Sequence, residues 1–350
     1  MNRFRKFFFY FFTFLLTYLI YIYPFDMLNH LILNEKLFKT SAFFLNIFFY
    51  LIVIYYLRSH STFILFRVIV YEGMGIGFIS FWIVNLAILT SFIFTIEPIN
   101  LGISSFIIIV LFSILSLIKG KLIFFKKIKI NTSKITQDIK IIFISDIHLG
   151  SNSAKHLKKI YSKIINVRFD LLLIGGDLID SSSFNLQNLT IFKKIKTPII
   201  FVSGNHEFYI KDSKEKLQKL KNYKLTYLDN KNFVFNNINI IGLGDNQTID
   251  QQKLLANQLM KEKMFNLILV HRPSIWDHIN QKIDLMLSGH THNGQIFPFN
   301  FFVKLKFKYI YGLYEKFNSK LYVTSGSGCW GPKMRLGTKN EIVEILISNN

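Results

Sequence analysis

The chain of 350 residues has one cysteine, Cys329, so an intrachain disulfide is impossible. That fits a reducing compartment without requiring one. Acidic residues are also scarce: 21 Asp and Glu stand against 42 Lys and Arg, a formal charge of +21. Such an excess suits nucleic acid or an anionic membrane surface. No RNA-binding signature and no basic reading helix is present, and much of the charge flanks apolar runs. A lipid bilayer is therefore the expected partner, and no nucleic acid is expected. Internal repeats are lacking, as are low-complexity linkers apart from the basic bridge 119–134.

Apolar residues are abundant. They make up 51% of the chain, and its 38 Phe and 16 Tyr crowd towards the N-terminus. That is too much for the core of one soluble domain. Four uncharged spans carry it, at about 7–23, 42–57, 74–96 and 103–118. The first covers about 25 Å as a helix, close to the hydrocarbon thickness of a bilayer. It is long and aromatic, and no small-residue cleavage site follows, so a retained helix is expected rather than a signal peptide. The stretch 61–71 is interrupted by Arg67 and is expected at the interface. Gly73 and Gly77 form a small-xxx-small pair suited to close helix packing. Lys119, Lys121, Lys126, Lys127 and Lys129 follow the fourth span, whereas the loop 97–102 has no basic residue. The positive-inside rule then puts the N-terminus, the middle loop and the C-terminal part on the cytoplasmic side of an inner or cytoplasmic membrane. The expected organisation is an anchor over 1–118, a basic juxtamembrane linker over 119–134 and a catalytic domain over 135–350.

From about residue 136 the pattern changes. Short apolar runs at 139–145, 171–174, 198–202, 267–270, 284–287, 321–325 and 341–347 read as strands. A hairpin is expected over 232–242, and helices over 154–167, 185–195, 211–221 and 251–261. This alternation predicts a layered α/β fold with mixed sheets. Residues 297–314 interleave Phe297, Phe299, Phe301, Phe302, Leu305 and Phe307 with Lys304, Lys306 and Lys308. They predict either an edge hairpin packed on the domain or an apolar, basic flap that dips into lipid headgroups and admits a lipid substrate.

Polar residues cluster where the apolar runs end. The blocks are Asp146-Ile147-His148, Gly175-Gly176-Asp177, Gly204-Asn205-His206-Glu207, Val270-His271 and Ser288-Gly289-His290-Thr291-His292-Asn293-Gly294-Gln295. Carboxylate, amide and imidazole without thiolate suit Mn²⁺, Fe²⁺ or Zn²⁺ better than a structural zinc. The donors are too many for one ion. A carboxylate such as Asp177 can bridge two, and two ions roughly 3.5–4 Å apart can clamp a phosphoryl group.

In order and spacing, these blocks (D-x-H, G-D, G-N-H-[DE], H and G-H-x-H) resemble the calcineurin-like metallophosphoesterases over about 138–348. The resemblance implies a four-layer αββα sandwich. It places Asp146, His148 and His292 on one metal, Asn205, His271 and His290 on the other, and Asp177 between them. His206 would stay unliganded beside the scissile bond, as proton donor to the leaving oxygen or as a transition-state clamp. With Gly328-Cys329-Trp330-Gly331-Pro332-Lys333-Met334-Arg335, the block at Ser288 is similar to the membrane-associated branch often called YaeI- or YkuE-like. Members of that branch include phosphodiesterases, and some hydrolyse UDP-2,3-diacylglucosamine. Asn293 departs from the branch's usual glycine, and a several-helix anchor departs from members with one export signal.

The expected function is thus a membrane-anchored two-metal phosphohydrolase that cleaves a phosphodiester or pyrophosphate by attack of metal-bound hydroxide. A lipid or lipid-linked nucleotide is the expected substrate. The competing expectations are a phosphatase for phosphoproteins or cyclic nucleotides, and a membrane scaffold or sensor without chemistry. Arg335, Lys333 and Arg272 are candidates to contact substrate phosphate. Asp180 is expected to cap a helix, Glu207 to orient its loop, and Cys329 to be a packed thiol. His30, His60, His156 and His278 lie outside the blocks and are expected at the surface or in packing.

Overall fold

The computed structural model describes residues 3–59, 64–279 and 283–349; His60 lies outside them. Two compact units emerge: Met1–Lys119 with Gly331–Leu336, and Gly120–Trp330 with Gly337–Asn350.

The first unit is helical. α1 (Arg3–Tyr21) and α2 (Tyr23–Leu33) are separated only at Ile22, with Pro24 in the first turn of α2. Proline lacks an N–H that the first turn would leave unpaired anyway. The helical path therefore continues past residue 23, where the first span was expected to stop. α3 covers Ala42–Ser59. α4 (Ile64–Arg67) passes through a π-helical turn (Val68–Glu72) into α5 (Gly73–Ser91). Arg67 thus lies at the end of α4, within the third helical stretch. α6 runs over Pro98–Lys121. Among the described residues, Arg3–Leu33, Lys39–Tyr56, Leu65–Ser91 and Pro98–Lys121 are long and apolar enough to cross a membrane. α3, α5 and α6 are apolar on nearly every side. At Gly77 a Cβ would stand 2.2 Å from the carbonyl oxygen of Ile20; the backbones of α1 and α5 meet where a side chain is missing.

The second unit contains two six-stranded sheets. Its strands are β1 (Ile123–Thr132), β2 (Ile139–Ile144), β3 (Leu171–Ile174), β4 (Ile199–Phe201), β5 (Thr226–Tyr227) and β6 (Lys231–Phe235). β7 (Ile238–Leu243), β8 (Phe265–Val270), β9 (Leu285–Ser288), β10 (Gly312–Lys316), β11 (Ser319–Val323) and β12 (Asn340–Asn349) complete them. The orders are β1-β12-β2-β3-β4-β5 and β10-β11-β9-β8-β7-β6. β2 to β5 run parallel, as do β7, β8, β9 and β11; β12 is antiparallel to β2. The helices are α7 (Ala154–Ile164), α8 (His206–Tyr209), α9 (Ser213–Lys219), α10 (Ile249–Leu259), α11 (Trp276–Ile279) and α12 (Phe299–Lys306).

Strand periodicity sorts the core into layers. Ile141 and Phe143 point between the sheets, where they meet Ile240, Leu267, Leu285 and Tyr322. Their neighbours Ile142 and Ile144 point outwards onto Leu157, Ile160 and Ile164 of α7. On the far side, Ile268 and Met286 pack against Ala256 of α10 and Trp276 and Ile279 of α11. Strands buried on both faces read as continuous apolar runs, and the result is the αββα sandwich.

Two expectations need correction. The bridge 119–134 is not a linker: α6 extends to Lys121, and β1 pairs with β12 over ten residues. Its lysines sit on an edge strand, where charge discourages further pairing. The helix expected over 185–195 is present as a 3₁₀ helix at 186–194. In 297–314 the apolar stretch forms α12, and only Gly312–Lys316 joins a sheet.

Replacing Gly77 by Ala should overpack the α1–α5 contact at a cost of about 1–3 kcal/mol. The expected outcome is a lower thermal midpoint in detergent with unaltered metal content in the folded fraction.

Candidate metal centre

The blocks sit at the carboxyl ends of strands from both sheets. Asp146 and His148 follow β2, Asp177 follows β3, and Asn205 and His206 follow β4 at the start of α8. From the second sheet, His271 directly follows β8, and His290 and His292 follow β9. Two sets of loops thus converge, the place where open α/β sheets present ligands.

The backbone turns sharply to aim these side chains. φ is +54° at Asp146, +51° at His148, +50° at Asp177, +73° at His290 and +49° at His292. Left-handed conformations are uncommon for residues with a Cβ and persist where surroundings enforce them. Here the enforcement is visible. Asp146 N–H donates to Gly176 O (3.0 Å), His148 N–H to Asp177 O (2.9 Å), and His290 N–H to Asp146 Oδ1 (3.0 Å). His206 N–H donates to Asp177 Oδ1 at 2.9 Å. At Gly289 a Cβ would lie 2.2 Å from Asp146 Oδ2, so only glycine lets the two loops close.

Glu207 ties the loops together from beneath. Its carboxylate accepts from Asp177 N–H (2.9 Å), Ile179 N–H (2.9 Å) and Gly204 N–H (2.7 Å). This is the orienting role expected for it. Burial and the Asp177 charge push its carboxyl up to about 8, against the pull of those donors.

Two triads of donor atoms that share no residue result, Asp146/His148/His292 and Asp177/His271/His290, and a third, His148/Asp177/His206, links them. His292 Nε2 lies 3.0 Å from His148 Nε2 and 3.5 Å from Asp146 Oδ1. Asp177 Oδ2 is 3.1 Å from His271 Nε2 and 3.7 Å from His148 Nε2, so one oxygen faces both groups. His290 Nδ1 and His271 Nε2 are 3.2 Å apart. His206 stands to one side, its Nε2 4.0 Å from Asp177 Oδ2 and its ring 4.7 Å from that of His148. Asn205 Oδ1 is buried without a partner among the described residues.

The electrostatics call for positive charge here. Burial would lower His271, yet the Asp177 and Asp146 carboxylates hold it up to about 10. Burial with the neighbouring His271 drives His290 down to about 2. Burial raises Asp146, whereas His271 and His148 outweigh burial at Asp177 and hold it well below the carboxylate range. Two carboxylates, four imidazoles and an orphaned amide oxygen gathered in one buried cluster fit divalent cations, which satisfy lone pairs that cannot satisfy each other.

Residues outside the expected set also matter. Asp180, expected to cap a helix, is buried with Oδ2 3.4 Å from His148 Nδ1, and it accepts from Ser151 N–H at 2.9 Å. It backs the imidazole, as the outer partners of metal-binding histidines do. Tyr209 and Trp330 place their rings 5.3 and 5.7 Å from that of His206. Tyr209 sits three residues after His206, a helical spacing that could have flagged it. Of the three substrate-contact candidates, Arg272 pairs with buried Asp245 at 3.0 Å. Burial pushes Asp245 up to about 6. Lys333 and Arg335 fall in Gly331–Leu336 of the first unit, where Arg335 is wholly buried and its backbone N–H donates to Ser116 O (2.9 Å). Cys329 is buried as expected, and His156 Nε2 lies 2.7 Å from Ser327 O in a packing role.

Residues 139–294 match the calcineurin-like phosphoesterase family. Among curated relatives it is similar to a metallophosphoesterase of Campylobacter jejuni, at 37% identity over 62% of this chain and 61% of that one. A Helicobacter pylori metallophosphoesterase is 33% identical over 63% of this chain and 62% of its own. A Bos taurus protein named as a transmembrane protein with a metallophosphoesterase domain is 28% identical over 60% of this chain and 53% of its own. The chain thus spans about three-fifths of the length of the first two relatives and about half of the third.

Truncating Glu207 to Ala would strand three buried N–H donors at a cost of about 1–3 kcal/mol each. We expect the thermal midpoint and the bound-metal stoichiometry to fall together, with Glu207→Gln recovering part of both.

Proposed function

We propose that the protein is an integral membrane, metal-dependent phosphohydrolase that cleaves a phosphodiester or pyrophosphate bond in a lipid or lipid-linked nucleotide. The observation carrying this reading is the pair of buried donor triads joined by Asp177. Asp146, His148 and His292 would hold one divalent ion, and Asn205, His271 and His290 the other, with Asp177 shared. When bound, such ions supply Lewis acidity towards a phosphoryl oxygen and a water acidic enough to deprotonate near neutral pH.

The chain's own groups do the rest. Glu207 and Asp180 fix the loop and the His148 ring, so the donors need no reorganisation. His206 is near Asp177 yet belongs to no ligand set in this assignment, which leaves its Nε2 to give a proton to the departing oxygen. Burial lowers its imidazole to about 4. An anionic phosphoryl group beside it favours the charged form, so substrate itself loads the proton. Arg272, steadied by Asp245, is a candidate contact for an outlying phosphate oxygen.

Membrane residence is supported by the four long apolar helices and by a relative named as transmembrane. The lysines after the fourth span favour a cytoplasmic face for the catalytic domain, and residues 1–118 act as its anchor. Mn²⁺, Fe²⁺ and Zn²⁺ all suit the donor set.

Asp177→Ala and His290→Ala should each lose bound metal and turnover of an aryl phosphodiester. His206→Ala should keep its metal and lose about 10²–10⁴-fold in rate. Elemental analysis of the purified variants beside their rates checks both. Full metal content in Asp177→Ala would end the shared-carboxylate assignment.

A further inference from the structure

The excursion from the last metal-centre block is anchored to that block at both of its ends. On departure, Gly294 makes room for the backbone of Asn300, since a Cβ there would stand 2.3 Å from Asn300 Cα. On return, Thr291 Oγ1 donates to Ile310 O at 2.6 Å, and the Phe307 ring lies 5.0 Å from that of His290. Between these ties runs α12. Its half-buried residues are Asn300 and Val303, one helical turn apart. Outwards it shows Phe301 (55% exposed) and Leu305 (85%), with Phe297 (50%) just before its start.

A soluble domain gains nothing by holding large apolar groups in water beside its chemistry. Lys304 and Lys306 flank Leu305, and no acidic residue occurs between Thr291 and Tyr314. Apolar side chains ringed by uncompensated lysine fit the boundary between headgroups and acyl chains of an anionic bilayer. Lys308 contributes less, because it pairs with Asp277 at 3.1 Å. The chain's four long apolar helices make a bilayer the natural neighbour.

We infer that α12 is an interfacial helix: it seats Phe301 and Leu305 in the headgroup region of an anionic bilayer and thereby holds the metal-centre loop at the lipid surface. This contact does not depend on what the centre hydrolyses. Its two fixed ends give it a direct mechanical link to His290 and His292.

The test uses the full chain in lipid nanodiscs. A nitroxide is placed at Leu305→Cys in a Cys329→Ser background, with Leu254→Cys on α10 as a water-exposed reference. In discs with anionic phospholipid, collision with a water-soluble nickel chelate should be about fivefold lower at 305 than at 254, while collision with oxygen rises. Lys304→Ser with Lys306→Ser should return the label to water, as should discs of zwitterionic lipid alone. Hydrolysis of a soluble aryl phosphodiester should stay unchanged throughout, which confirms an intact centre. Equal chelate access at 305 and 254 in anionic discs would overturn the inference. Shielding from both reagents with dipolar broadening would overturn it too, in favour of a second copy covering the helix.

Discussion

Lone pairs crowded into a buried cluster call for positive charge, and the architecture around residues 146–292 is arranged to keep them crowded. The Nε2 atoms of His148 and His292 are 3.0 Å apart, and Asp177 faces imidazoles of both triads. Left to itself such a set would splay. It is held by left-handed backbone at five positions, by buried N–H donors and by the Glu207 carboxylate beneath. The strain is local, whereas the restraint comes from two whole sheets whose strand ends meet there. A site of this kind is expensive to assemble from flexible parts and stable when built on rigid ones.

Much of the sandwich was legible from the run of residues. Strands covered on both faces must be largely apolar, and β2, β3, β8 and β9 are, with Lys140, Asn266 and Ser288 the polar exceptions. What escaped was decided by partners distant in sequence. Ile123–Thr132 looks like a charged linker because its lysines are conspicuous, yet β12 supplies ten backbone partners. The stretch after Gln295 alternates like a strand but lacks a neighbour to pair with, so it closes its own hydrogen bonds as α12. The π-helical turn at Val68–Glu72 has no sequence mark that would have separated it from an ordinary helix.

The centre divides in the same way. Asp146, His148, Asp177, His206, His271, His290 and His292 all come within reach of one another because each block ends an apolar strand, a pattern local enough to read. Asp180 and Asp245 act through contacts with His148 and Arg272 that no spacing encodes. Trp330 reaches the neighbourhood of His206 only through the tertiary fold, pinned by its N–H to Gln295 Oε1 at 2.9 Å. The burial of Arg335 is likewise a property of packing that its neighbours in sequence do not encode.

The order of the first sheet has a consequence for biosynthesis. β1 emerges directly after the last long apolar helix, but its one neighbour in the sheet is β12, which also separates it from β2. Until residues 340–349 leave the ribosome, β1 must wait as an unpaired ribbon with a half-apolar face. Pairing so remote in sequence is slow and leaves an edge open to the wrong partner. The alternating lysines of β1 would then serve the nascent chain, repelling a second ribbon while the rightful one is still being made.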